Sequence, residues 1–214
     1  MLARCHNGLV RRIRSVERHF DTLRLSTTHD RESQFRRWRE TEGLLSFTWQ
    51  TWCGFCRSVL LESCNGTTTR SGVAAVGTEP GLSSGRIAYV AKAVSRGDSI
   101  KPEKELASHQ EPTWGDRQVV LDCARHFNVS NEENLAVGLL LETRAAEDMR
   151  TIRNAAAHIS KSGMDEVRAL SAFYSGKQLR HPTDFLFWND NETGDVAFSV
   201  WINDLIECAD LMTS

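Results

Sequence analysis

The chain has 214 residues, 40% of them hydrophobic, with 26 Lys and Arg against 28 Asp and Glu for a formal net charge of −2. That is enough apolar mass for a sizeable core, and the near-neutral balance excludes a uniformly basic nucleic-acid coat. No apolar run approaches the roughly 20 residues that span a bilayer, so a soluble, cytoplasmic protein without membrane contact is expected.

Charge is unevenly spread. Residues 1 to 40 carry ten Arg and five acids, a local balance of +5, which leaves −7 for the rest. The first 20 residues are Arg-rich enough to pass for an organellar transit peptide. Their apolar pattern nevertheless continues without a break: Leu9, Ile13, Val16, Phe20 and Leu23 recur at helical spacing and predict an amphipathic helix over Leu9 to Leu25 with its arginines outside. A secretory apolar core is missing, so the six cysteines are expected to be reduced, and the three Asn-x-Ser/Thr sequons carry no weight.

Arg31 to Ser63 brings Phe35, Trp38, Leu45, Phe47, Trp49, Trp52, Phe55, Val59 and Leu60 at helical recurrence, the expected core helix, with Gly43 its weakest point. From Cys64 to Pro112 the composition turns to Gly, Ser and Thr, which predicts a long irregular insert over 64–112 with at most a short helix over Ile87 to Val94. Asp116 to Phe127 reads as a helix with Val119, Val120 and Cys123 on one face, and Ser130 or Asn131 caps the segment Asn131 to Leu141. A further helix is expected over Glu142 to Ser160, stopped by a left-handed Gly163, and another over Met164 to Tyr174. Thr183 to Trp188 and Asp195 to Ser199 read as two extended arms around the polar turn 189–194, a hairpin accessory over 183–199. Val200 to Met212 closes the chain as a helix. The fold class expected is mainly α: one helical-bundle domain over 1–214, with the irregular insert and a small C-terminal β-hairpin.

Two clusters compete to carry chemistry. Trp52-Cys53-Gly54-Phe55-Cys56 resembles the active site of thioredoxin-like oxidoreductases, and His181-Pro182-Thr183 resembles the cis-proline segment of that fold. A reactive thiol of that kind sits at a helix N-terminus, whereas the flanks here read as helix on both sides, so Cys53 and Cys56 are more simply two small buried hydrophobes. A structural zinc site needs four ligands, and no second Cys or His pair follows. No metal and no cofactor are expected, and neither a phosphate-binding loop nor a nucleophile-elbow motif is present.

The second cluster is Arg153-Asn154-Ala155-Ala156-Ala157-His158. It sets a permanent cation, an amide and an imidazole on one helix, separated only by alanines. Residues five apart point roughly 140° from each other on an ideal helix, so Arg153 and His158 do not pair tightly within one helix, while Asn154 and His158 share a face. Convergence on one substrate therefore asks for a bend or for a second copy of the motif across a two-fold axis. The bland reading is a solvated cation and a hydrogen-bonded ring.

This run resembles the Arg-x4-6-His signature of the HEPN family, in which Asn often follows the Arg. The upstream helix with Trp52 and Phe55 is similar to the aromatic helix of bacterial HEPN ribonuclease- and toxin-like proteins, where Trp is followed by Glu; Cys53 stands there in this chain. The helix from Trp114 to Phe127, the short helix after Asn131 and the closing Trp201 to Leu205 segment are also similar, so the likeness covers most of the chain. The resemblance implies a helical bundle that forms a homodimer, joining two motifs into a metal-independent endoribonuclease site that acts on RNA. It also implies a toxin–antitoxin or phage-defence setting, with an antitoxin or defence-system partner protein. In such a site His158 moves the 2′-hydroxyl or leaving-group proton, Arg153 forks onto the scissile phosphate, and Asn154 holds the imidazole tautomer or a phosphate oxygen. Arg150, Lys161, Arg36 and Arg37 are candidate RNA-backbone contacts. The other readings kept open are a non-catalytic HEPN-like module that binds a nucleotide or a protein, and a thiol–disulfide oxidoreductase using Cys53 and Cys56.

Overall fold

Leu2, His6, Leu9, Ile13, Val16, Phe20 and Leu23 alternate spacings of four and three, and all seven are buried. That single stripe writes the first helix, α1, over Leu2–Leu25, longer at its start than the apolar residues alone predict, because His6 takes a core position. The computed structural model describes residues 1–26, 30–140 and 144–214. The expected helix start at Glu142 and the end of the segment at Leu141 therefore lie outside the described residues.

The second helix, α2, runs unbroken over Arg31–Asn65, through both Gly43 and Gly54. Its buried face is long: Leu44, Leu45, Thr48, Trp49, Trp52, Phe55, Cys56, Val59 and Leu60 recur at helical spacing. The Thr48 hydroxyl, inside that face, donates to the Leu44 carbonyl at 2.8 Å, so its burial leaves no orphaned donor.

The stretch 64–112 holds the short helix expected over Ile87 to Val94, longer at both ends, and two short strands besides. Strands β1 (Thr67–Thr68) and β2 (Ala74–Ala75) pair antiparallel. Helix α3 then spans Ser84–Arg96, opened by the Ser83 side chain accepting the Arg86 amide and closed by Gly97 in the left-handed region at φ 70°. The Ser and Gly residues that resemble a loop in the sequence are the caps and turns of these elements. The far end is pinned as well. Glu111 takes two hydrogen bonds from Arg57 of α2, at 2.6 and 2.7 Å, and a third from the Trp114 indole at 2.7 Å.

Helix α4 covers Arg117–His126 behind an Asp116 cap, and α5 covers Glu132–Leu140. Helix α6 spans Arg144–Ala157 and α7 spans Lys161–Ala169. Gly163 is not a left-handed stop. It lies inside α7, where its amide donates to the Ser160 cap at 3.1 Å. The segment expected to remain helical to Tyr174 ends earlier, and Tyr174–Ser175 forms strand β3.

The chain near the C-terminus does contain a small antiparallel pair, but not between the predicted arms. β3 pairs with β4 (Asn189–Asp190), in the register Tyr174 to Asp190 and Ser175 to Asn189. Thr183 to Phe187, predicted as extended, lies in a 3-10 turn over Pro182–Phe187. The cause is local: His181 caps that turn, Pro182 opens it with its φ already set, and Asp184 reaches back to the His181 amide at 2.9 Å. The second predicted arm contributes one bridge, Asn189 to Val196, before α8 begins at Ala197 and runs to Thr213.

The chain is mainly helical, and its contacts divide it into two units. One comprises Met1–Val10, Trp52–Glu142 and Glu207–Ser214; the other comprises Arg11–Thr51 and Thr143–Ile206. In the first, α3 packs on α4 and α4 on α5, around Trp52, Phe55, Leu60, Ile87, Val120, Leu121 and Phe127. Gly138 of α5 meets α8 so closely that a Cβ there would lie 2.7 Å from the Cys208 carbonyl oxygen.

In the second unit α6 packs on α7 and on the 3-10 turn, and Phe20 stacks on Phe187 and tilts against Phe198 with centroids 4.9 and 4.8 Å away. A polar chain crosses its interior. The Trp201 indole donates to the Tyr174 hydroxyl at 2.8 Å, and that hydroxyl donates to Asp148 Oδ2 at 2.6 Å. All three residues are buried. Burial raises the Asp148 carboxyl, against the hydrogen bond from Tyr174 and the charge of Arg144, and burial together with Asp148 raises the Tyr174 phenol. Among the described residues no helix is long and apolar enough to cross a membrane.

Candidate functional site

Helix α6 buries Ala145, Asp148, Met149, Ile152 and Ala155. Those positions fix its rotation, and they turn the motif residues away from the core. Arg153 is half-buried, while Asn154 and His158 are exposed. The helix ends at Ala157, and the His158 amide still donates to the Asn154 carbonyl at 3.0 Å, so His158 stands at the C-terminal end of α6 in near-helical register.

Within the motif Arg153 Nη1 donates to Asn154 Oδ1 at 3.1 Å. Arg153 and Asn154 are thus joined through their side chains. The imidazole of His158 is not joined to either, and among the described residues it has no hydrogen-bond partner. The role of Asn154 as holder of the imidazole tautomer is therefore absent from this arrangement, and its side chain serves the arginine instead. Of the alanines, Ala155 is buried and sits beside Gly163 of α7, where a Cβ on the glycine would meet the Ala155 Cβ at 3.4 Å.

The four candidate RNA contacts are dispersed over different elements of the same unit. Arg150 is half-buried on α6, three residues before Arg153, and Lys161 is exposed at the first position of α7. Arg36 lies 3.7 Å from Glu32 one turn away, an exposed pair of small energetic weight. Arg37 is different, with its guanidinium 3.7 Å above the Phe187 ring. Burial lowers its pKa, while Asp184 opposes the shift.

Cys53 and Cys56 lie in the middle of α2, far from either terminus, so no helix N-terminus faces them. Cys56 is fully buried, and burial pushes its thiol well above the ordinary range. Burial with the neighbouring Glu62 likewise pushes Cys5 up to about 11. None of the six cysteines is in a disulfide. The His181–Pro182 peptide is trans, like every other described one, and His181 is a cap whose Nδ1 lies 2.8 Å from Thr183 Oγ1 and whose Nε2 lies 3.1 Å from Glu42. Among the described residues no group of three or more His, Cys, Asp or Glu could hold a metal ion.

Sequence reasoning missed two arrangements in this unit. One is the Trp201–Tyr174–Asp148 chain, whose members stand 27 and 26 residues apart and share no motif. The other is a cleft of about 640 Å³ lined by Arg24, Arg37, Lys177 and Arg180 together with Phe187 and Trp188. Its only signal in the sequence is the pair of cations in the short segment Lys177 to Arg180. Comparison with protein-family models, with curated proteins and with solved structures finds no match to this chain.

Proposed function

We propose that this chain is a metal-independent endoribonuclease of the HEPN type, acting in the cytoplasm as a homodimer whose site joins two copies of the Arg153/Asn154/His158 set. The setting we infer is a toxin–antitoxin or phage-defence system with a partner protein that restrains or triggers it. One observation carries the reading. A guanidinium and an amide joined by a hydrogen bond, and an exposed imidazole, lie along the last turns of one helix, and among the described residues neither Arg153 nor His158 is paired with a carboxylate.

Such a set suits RNA cleavage by internal transesterification. The ribose 2′-hydroxyl loses its proton to one His158 and its oxygen bonds to the adjacent phosphorus. The bond to the 5′-oxygen breaks, and that oxygen takes a proton from the partner subunit's His158. The products are a 2′,3′-cyclic phosphate and a 5′-hydroxyl, with no water consumed. Arg153 meets the extra negative charge on the phosphoryl oxygens as phosphorus becomes five-coordinate. The nucleophile is already tethered beside its target, which supplies much of the entropic advantage. General acid–base catalysis of this kind is worth about 10²–10⁴-fold.

The test is cleavage of a mixed RNA pool in excess EDTA, with product ends analysed. Cyclic-phosphate ends from the parent, lost in Arg153→Ala and His158→Ala, are expected. Equal cleavage by all three proteins would remove the proposal.

A further inference from the structure

Two Asn–Gly dipeptides occur in the chain, Asn7–Gly8 and Asn65–Gly66, and the fold treats them differently. In such a pair the backbone nitrogen that follows the asparagine can reach the side-chain carbonyl, because glycine has no Cβ in the way. Gly8 lies inside α1, more than a turn past its start at Leu2, so its amide belongs to the helical hydrogen-bond ladder. Asn65 is the last residue of α2, and Gly66 stands beyond the helix with φ 98°, in the left-handed region. Both Asn65 and Gly66 are exposed, and with Glu62 and Thr67 they line an open cleft of about 420 Å³.

The Asn65 carboxamide is oriented from outside the dipeptide. Its Oδ1 accepts the Gly81 amide at 2.8 Å, and its Nδ2 donates to the Leu82 carbonyl at 3.1 Å. An N–H aimed at Oδ1 polarises the carbonyl and stabilises the negative charge that gathers there when a nucleophile adds to Cγ. The same two bonds clasp the end of α2 to the turn ahead of α3. Gly81 sits in that turn at φ 90°, and Ser83, the residue after Leu82, is the cap that opens α3.

We propose that Asn65 is a self-modification site whose conversion to aspartate or isoaspartate undoes the clasp between α2 and the turn ahead of α3. The Gly66 nitrogen loses its proton to base and bonds to Asn65 Cγ. The Cγ–Nδ2 bond breaks, Nδ2 takes up a proton and leaves as ammonia, and a cyclic imide remains. Water then adds to one of the two imide carbonyls. Opening on the side-chain side restores the main chain with an aspartate, and opening on the other side routes the main chain through the former side chain as isoaspartate. In the aspartate product a carboxylate oxygen faces the Leu82 carbonyl where a donor stood. Its new charge lies one helical turn from Glu62, an unfavourable spacing for like charges.

The test is peptide mapping by mass spectrometry of the full chain after incubation in mildly alkaline buffer, both folded and in guanidinium. In the folded chain Asn65 should gain a single mass unit at least about tenfold faster than Asn7, since an amide inside a helix reacts only in its open fraction. In guanidinium, where neither dipeptide is held, the two should convert alike. An Asn65 that stays intact in the folded chain, or an Asn7 that converts there as fast, would overturn the proposal. Asn65→Asp carries the product side chain, and it should melt about 2–4 °C below the parent, the shift that loss of one hydrogen bond gives in a chain of this size. A parental melting temperature in that variant would overturn the proposed release of the turn.

Discussion

Arg153 donates a hydrogen bond to the Asn154 side-chain oxygen at 3.1 Å. The Asn154 carbonyl in turn accepts the His158 amide at 3.0 Å, so one residue touches both ends of the motif, its side chain holding the arginine and its backbone holding the histidine. In the ribonuclease reading Asn154 is a positioning residue for Arg153. Asn154→Ala should lower the single-turnover cleavage rate about tenfold, well short of the roughly 10²-fold or greater loss from Arg153→Ala, because the charge remains but its geometry is loosened. A parental rate in Asn154→Ala would deny it that role.

Arg153→Lys provides a sharper probe of what the arginine does. Lysine keeps the charge and loses the planar fork. The expected outcome is a rate closer to that of Arg153→Ala than to the parent, with the melting temperature nearly unchanged, since Arg153 is only half-buried. A fully active lysine variant would mean that a point charge suffices.

Tyr174 links two buried partners, so its hydroxyl should matter more than its ring. Tyr174→Phe leaves Trp201 without its acceptor and Asp148 without its donor. The expected cost is about 2–3 kcal/mol, a fall of roughly 4–12 °C in melting temperature for a chain of this size. A fall of less than a degree would show that water takes over both contacts.

Glu111 gives a pH-dependent prediction. The hydrogen bonds from Arg57 hold its carboxyl below the ordinary range, more strongly than burial raises it, with Trp114 adding to the effect. A depressed folded pKa means that the stabilisation is fully present above the unfolded value, about 4.3, and is lost as pH falls through the lower folded value. Glu111→Gln should therefore be less stable than the parent at pH 7, and the gap in urea midpoint should narrow below about pH 4. A gap independent of pH would remove the charge from the explanation.

At Gly138 the clash is with backbone, which cannot swing aside. Gly138→Ala would press its methyl on the Cys208 carbonyl and on Met212, and overpacking of this kind costs about 1–3 kcal/mol. Equal or higher stability, as helix propensity alone would predict for alanine over glycine, would contradict the close approach of α5 and α8.

The long helices were legible because their burial is periodic. α2 has nearly the bounds its aromatic and aliphatic residues predict, but Phe35 and Phe47 of that set are exposed and lie off its buried face, and α1 is longer than its apolar residues predict because His6, a polar type, occupies a core position opposite Asp210, with 2.9 Å between them. Composition misled over 64–112, where Ser83 and Gly97 are caps of a helix and not members of a loop. At 183–187 the apolar run suggested a strand, but His181, Pro182 and Asp184 together start a 3-10 turn, a local signal that hydrophobic periodicity does not register. The motif on α6 was legible as residue types at a spacing. Its internal pairing, Arg153 to Asn154 and not Asn154 to the imidazole, depends on rotamers. The cationic cleft was not legible, since its residues come from four separate stretches brought together by the Asp184 and Trp188 contacts.

The most direct measurement of the central claim is the rate of RNA cleavage in excess EDTA by purified parent protein and by His158→Ala at matched oligomeric state. The account predicts cleavage by the parent dimer and a loss of about 10²-fold or more in the variant. Identical rates, or cleavage by a parent protein that is monomeric throughout, would contradict it.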